Sequence, residues 1–238
     1  MNDLLELAIA AHGGADRWNA VQRIHLHLSV TGALFRIKGL PDGMTDMLMS
    51  VDAREQAVKI APYSRSDLRG GYLPNRVWIE DRKGAAAEEL KDPRASFAGH
   101  VRETQWNQFQ RLYFISYAFW NYLTIPFLLV RPGFVVRELS RHQEGSESWR
   151  RLEVAFPADI HTHCPTQVFY FGDDGLLRRH DYVTDVAGGV AANYCFDHVD
   201  FDGIVFPTLR RVVRRKDDVA DTAGPTAVLI QISHLIVE

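Results

Sequence analysis

The chain has 238 residues, 46% hydrophobic and 24% charged, with a formal net charge of −3. That size suits one large β-rich domain or two smaller ones with a substantial buried core. The charge balance gives no electrostatic footprint for nucleic acid or an anionic membrane surface.

Residues 3–12 read as a short helix, capped by Asn2 or Asp3 and ended by Gly13-Gly14. A second turn, Ala15 to Val21, leads into a strand. There Ile24, Leu26, Leu28 and Val30 alternate with His25, His27, Ser29 and Thr31, as on a half-buried strand with a polar outer face. Residues 44–51 and 56–61 form a predicted hairpin, and Asn75 to Asp81 a further strand. Gly70-Gly71 and Gly188-Gly189 are expected in turns. The alanine- and charge-rich stretch from Ala85 to Glu103 breaks the strand rhythm and reads as loop and short helix.

Strands resume after Arg131-Pro132-Gly133. Leu152, Val154 and Phe156 alternate with Arg151, Glu153 and Ala155. Gly172-Asp-Asp-Gly175 makes a hairpin turn between Thr166–Phe171 and Leu176–Thr184. Ala192, Tyr194, Phe196 and His198 share one face of the next strand, and Asp202-Gly203 turns it into Ile204 to Arg214. The paired arginines 210–211 and 214–215 read as a solvated edge or outer face. The last strand sets Val228, Ile230, Ile232, His234 and Ile236 on one side. With no repeat or linker, the reading is one domain over 1–238, with N-terminal helices over 1–22 and about eleven strands, mostly antiparallel.

Between the two sets of strands lies RLYFISYAFWNYLTIPFLLV, in which nineteen uncharged residues follow Arg111. Its length meets the threshold for a membrane span. Its content does not: Ser116, Asn121 and Thr124 are polar, Pro126 interrupts it, and several Tyr and Trp would lie at the hydrocarbon centre. It reads as a buried central helix over 104–125 with Phe109, Tyr113, Trp120 and Phe127 near one stripe. The fold class expected is α+β: a strongly curved antiparallel sheet, an open half-barrel, capped or filled by this helix. Whether the helix is a core plug or one wall of an internal pocket stays open at this point.

Four segments carry a resemblance. AHGGADRWNAV, FAGHVRETQWNQFQRLYFISYAFWNYLTIPFLL and VFYFGDDGLLRRHDY, together with DHVDFDGIVFPTLRRV, resemble an uncharacterised bacterial protein family. The closing DGIVFPT pattern is similar to that of the outer-membrane lipoprotein carrier superfamily. That resemblance implies a half-barrel whose helices cover an apolar cavity, and cargo that is hydrophobic: a lipid or an apolar or aromatic small molecule. A cytoplasmic enzyme of violacein biosynthesis resembles this fold too, which implies the alternative of a cofactor-free enzyme acting on an aromatic or polyketide-like metabolite.

Ligand-contacting candidates are Trp106, Tyr113, Tyr117, Trp120 and Asn121 on or before the helix, with His100, His163, Tyr194 and His198 around it. His161-Thr-His163-Cys164 invites a metal reading if it forms a strand, with His198 or Asp197 as a third ligand; no metal or cofactor is expected. Asp200-Phe-Asp202-Gly203 fails as a calcium loop, because His198 and Leu209 stand where carboxylates are needed. Neither Cys164 nor Cys195 has the neighbourhood of a nucleophile. His100, His163, His198 and Asp181 are candidate general acids or bases. A start without a basic n-region and only two cysteines lead us to expect a cytoplasmic location.

Overall fold

The structure, a computed structural model, describes residues 2–40 and 43–238. Two short helices open the chain, α1 (Asp3–Ala11) and α2 (Ala15–Ala20). Asn2 caps α1 by accepting from the backbone N–H groups of Leu4 and Leu5. Then come β1 (Arg23–Thr31), α3 (Ala33–Ile37), β2 (Met44–Asp52), β3 (Val58–Ala61), β4 (Leu68–Leu73), β5 (Arg76–Asp81) and β6 (Ala86–Lys91). Helix α4 (Gln108–Thr124) follows, and after it β7 (Val135–Glu144), β8 (Glu147–Ala155), β9 (Thr166–Phe171) and β10 (Leu177–Val183). The chain ends with β11 (Val190–Phe201), β12 (Ile204–Lys216), the two-residue β13 (Val219–Ala220) and β14 (Val228–Val237).

The strands form one antiparallel sheet in the order β6-β5-β4-β3-β2-β1-β14-β12-β11-β10-β9-β8-β7, with β13 paired to β12. The chain therefore meanders from the middle to one edge, crosses to the other edge, and meanders back. The crossing is the connection that carries α4. A sheet this wide must twist and curl, and the curl leaves a concave face that the crossing helix fills. At 17 residues α4 is about 26 Å long, enough to span that face. It packs on β2 to β5, while α1 lies toward β8.

The half-barrel architecture matches expectation, and the strand count is higher for identifiable reasons. Gly70-Gly71 lies inside β4, not in a turn. A Cβ on Gly70 would come within 2.7 Å of Leu112 on α4, and one on Gly71 within 2.2 Å of the Trp78 ring. These glycines let α4 and an aromatic side chain approach the sheet backbone. The stretch read as loop and short helix contributes edge strand β6.

In β14, Ser233 is an extra residue between the pairs His27–His234 and Leu28–Ile232. This bulge reverses the alternation. Leu235 and Val237 point into the core, and Ile236 is 49% exposed instead of sharing the inner face with Ile230. The hairpin turns stand as read: Asp202 and Gly203 both take positive φ, +52° and +84°, as a type I′ turn requires.

Helix α4 is shorter than expected at its start. Asn107 accepts from the Gln110 N–H while the Gln110 side chain accepts from the Asn107 N–H, a capping box that begins the helix at Gln108. Its far end is at Thr124, before Pro126. Among the described residues no helix is long and apolar enough to cross a membrane.

Candidate functional site: an apolar cleft at the open side of the half-barrel

From Leu112 to Thr124 every residue of α4 is buried, so the helix is a plug along most of its length. Its tyrosines and asparagine meet polar partners. The Tyr113 hydroxyl bonds His161 Nδ1 at 2.9 Å and accepts from Arg94 at 3.3 Å. Trp120 donates from Nε1 to the Asp52 carbonyl, and Asn121 donates to the carbonyls of Tyr117 and His161.

The helix faces a buried polar stripe on the concave surface. Gln167 (β9), His180 (β10), Asn193 (β11) and Arg210 (β12) point inward from adjacent strands, and all are at most 3% exposed. His163, from the loop before β9, sits over them. Its Nδ1 meets the Tyr117 hydroxyl at 3.1 Å and its Nε2 the Tyr122 hydroxyl at 2.9 Å, which in turn meets the Tyr182 hydroxyl at 2.9 Å. The ring stacks on Tyr182 with centroids 4.0 Å apart. Burial, with a smaller contribution from Arg94, pushes His163 down to about 3, so it is neutral. A neutral imidazole has one N–H and one lone pair, so it donates to one tyrosine and accepts from the other.

Arg210 corrects the expectation of a solvated arginine run. Its guanidinium donates to Cys195 Sγ at 3.0 Å and the Tyr122 carbonyl at 3.1 Å, and lies over the Tyr122 ring. The premise of the metal reading is also corrected. Residues 161–163 form a loop, not a strand, and His161 and His163 are each committed to tyrosines. Among the described residues no group of three His, Cys, Asp or Glu is placed to hold a metal ion.

Where the plug ends, a cleft of about 250 Å³ opens between α3, the 184–189 loop, and the ends of β12 and β14. Leu34 and Ile37 form one wall, Ala191 and Val212 the other, and Phe114 and Tyr182 are its inner, buried residues. Local sequence builds each wall. Gly32 has φ +126° and its Cβ position lies 2.4 Å from the Ala227 carbonyl oxygen, so only glycine lets α3 start there. The N–H groups of Ala33 and Leu34 then donate to Thr226 and Ala227. At the other end of α3, fully buried Lys38 donates from Nζ to the Arg102 carbonyl at 2.6 Å and lies over the Trp106 ring at 4.9 Å. Burial lowers its pKa. Trp106 packs in turn on Phe114. Arg102 is thereby held at the cleft edge, beside Gly188 of the opposite loop.

None of the nine ligand candidates read from the sequence lines this cleft. Trp106 supports its wall, and Tyr117 and His163 stand behind Tyr182 in the hydroxyl–imidazole chain. Tyr113, Trp120 and Asn121 lie within the plug. His100 packs on Phe97 and meets Gln110, and His198 bonds the Leu177 carbonyl beside His12. Tyr194 is on the convex face, in a separate cluster with Trp149, Tyr170, Ala192 and Val213. Asp197, at φ +52°, separates it from His198. Reading the residues alone misses Tyr182, Arg102 and all of α3. The available signal is Leu34, Phe35 and Ile37 bounded by Gly32 and Gly39, too short a run to show a helical period.

No family profile and no curated protein matches the chain. Solved structures match it in fold across nearly its whole length. One is a DUF1329 family protein from Desulfovibrio piger, at a TM-score of 0.56 and 13% identity, with 99% of this chain and 92% of that one covered. A second is a LolA superfamily protein from Nitrosomonas europaea, at 0.54 and 10%, covering 99% and 92%. A third, from Vibrio parahaemolyticus, is a domain named for outer-membrane lipoprotein sorting, at 0.57 and 8%, covering 99% and 91%.

Proposed function

We propose that the protein binds a hydrophobic small molecule or lipid, and that the cleft above Phe114 and Tyr182 holds it. The observation that carries this reading is a cleft bordered by Leu34, Ile37, Phe114, Tyr182 and Val212 that opens beside the buried helix α4. Its inner residues are apolar or aromatic, with few polar groups, the usual character of a small-molecule site. The lipoprotein-sorting name of one structural neighbour supports the same class of ligand. Two free cysteines suit a reducing compartment, and we place the protein in the cytoplasm, a location that cell fractionation tests.

Val190 borders the cleft and is 38% exposed, so a larger side chain there fills the opening without entering the core. Val190→Trp is expected to weaken binding of an apolar fluorescent probe at least about tenfold, the loss of roughly 1.4 kcal/mol, with an unchanged melting temperature. Equal probe affinity in the two proteins would remove the cleft from consideration.

A second reading, a cofactor-free enzyme for an aromatic or polyketide-like metabolite, draws on Tyr182. This residue borders the cleft and ends the chain of Tyr122, His163 and Tyr117 hydrogen bonds. Such a chain lets a phenol hydroxyl offer a proton to a bound carbonyl while Tyr122 reorients behind it. Turnover of an aromatic metabolite that Tyr182→Phe abolishes without loss of binding would favour the enzyme.

A further inference from the structure

We propose that the ligand is a free single-chain amphiphile with an anionic head, its chain on Phe114 and Tyr182 and its head between Arg102 and Arg214. The proposal rests on the reading of the cleft as a ligand site, and it specifies what that site selects.

The rim charges are unbalanced. Arg102 and Arg214 both border the cleft, and neither guanidinium has a hydrogen-bond or ion-pair partner among the described residues. Their neighbours are committed: Arg211 donates to Thr226, Thr222 and Gly224, and Arg215 pairs with Asp181. The rim acid Asp221 already accepts from the Gly224 N–H. Two free guanidiniums against one engaged carboxylate favour an anionic group at the mouth.

Size narrows the rest. About 250 Å³ falls below the usual ~300–1,000 Å³ of ligand pockets, which suits one alkyl chain and not several acyl chains together. The inner lining carries no charge, so the only place for an ionised head is the rim. Lys38 keeps the Arg102 backbone fixed from behind, which limits the ordering needed when the head arrives.

The test is calorimetric titration of the whole protein with decanoate and with decanol, alongside co-sedimentation with vesicles of anionic phospholipid. Decanoate is expected to bind one per chain and more tightly than decanol. Arg102→Gln and Arg214→Gln are each expected to weaken decanoate about threefold to tenfold and to leave decanol unchanged. Equal affinity for decanol and decanoate, or no effect of either substitution, would overturn the anionic head and leave apolar binding standing. If neither compound bound, both the proposal and the reading beneath it would fall. Sedimentation with vesicles in the absence of decanoate binding would overturn the free-ligand commitment.

Discussion

Lowering the pH from 7.5 toward 4.5 is expected to unfold the protein, because its interior holds imidazoles that cannot charge where they are. His12, His163 and His180 are each at most 2% exposed. Burial, the largest cause in each case, brings His12 down to about 4, His163 to about 3, and His180 well below the ordinary value of 6.5. Above pH 6.5 these groups are neutral in both the folded and unfolded states and contribute no pH dependence. Below it the unfolded chain takes up protons that the folded chain refuses, so stability falls until the folded pKa values are reached. Each histidine costs about 1.4 kcal/mol per pH unit in that window. Three together give about 4 kcal/mol per unit between pH 6.5 and 4, against a total stability of order 5–15 kcal/mol for a domain. Urea denaturation at pH 7.5, 6.0 and 5.0 measures this. His163→Gln should flatten the slope by about a third, and a stability unchanged down to pH 4.5 would contradict the packing described around His163.

A comparably large effect is expected on the opposite face of the same strand. Arg179 and Asp181 point outward from β10, yet their side chains are 1% and 2% exposed. Tyr170 and Tyr194 flank the Arg179 guanidinium, and residues 218–220 close over the cluster, with the Asp218 carbonyl accepting from Arg179. Asp181 accepts from Arg179 at 2.7 and 2.8 Å and from the Tyr170 hydroxyl at 2.8 Å, with Arg215 3.2 Å away. Removing that carboxylate leaves a buried guanidinium with Glu144 as its remaining acid partner. Asp181→Ala should lower stability by about 3–5 kcal/mol. Adding Arg179→Met should restore part of the loss, since the most deeply buried guanidinium is then gone and only Arg215 lacks its carboxylate. Asp173→Asn, at a surface pair with Arg141, should leave the unfolding midpoint in place. If Asp181→Ala behaved like Asp173→Asn, the convex cluster would be no more than a surface network.

Strand β10 also shows why the sequence is readable only in part. Curvature is legible because many short strands with few long connections can do little else, and the aromatic helix announces itself by length and composition. The rule that one strand face is polar because it meets water fails for LRRHDYV. Arg179 and Asp181 on one side and His180 and Tyr182 on the other are all buried. The sheet is covered on both faces there, by α4 and the 163 loop inside and by the β12–β13 hairpin outside, and nothing local in the sequence encodes a second cover. Arg210 defies its surface reading for the same reason. Glycine punctuation misleads at Gly70-Gly71, where the missing side chains admit Leu112 and Trp78, and the Ser233 bulge reverses an alternation that looks continuous in the sequence.

Five of the ligand candidates, Tyr113, Tyr117, Trp120, Asn121 and His163, mark the plug and its polar seam, with the cleft one layer further out. Phe114 and Tyr182 join the two layers, since both border the cleft and both touch the His163 cluster. The plug-or-wall question thus resolves by position: α4 is a plug for most of its length and presents Phe114 to the opening.

Photolabelling with an alkyl diazirine, followed by peptide mass spectrometry, tests that arrangement most directly. Saturable labels are expected on Leu34, Ile37, Phe114 and Tyr182, displaced by an unlabelled alkyl competitor. Labels concentrated instead in the outer groove of about 400 Å³ around His25, Leu48 and Ile236, or labelling that never saturates, would contradict it.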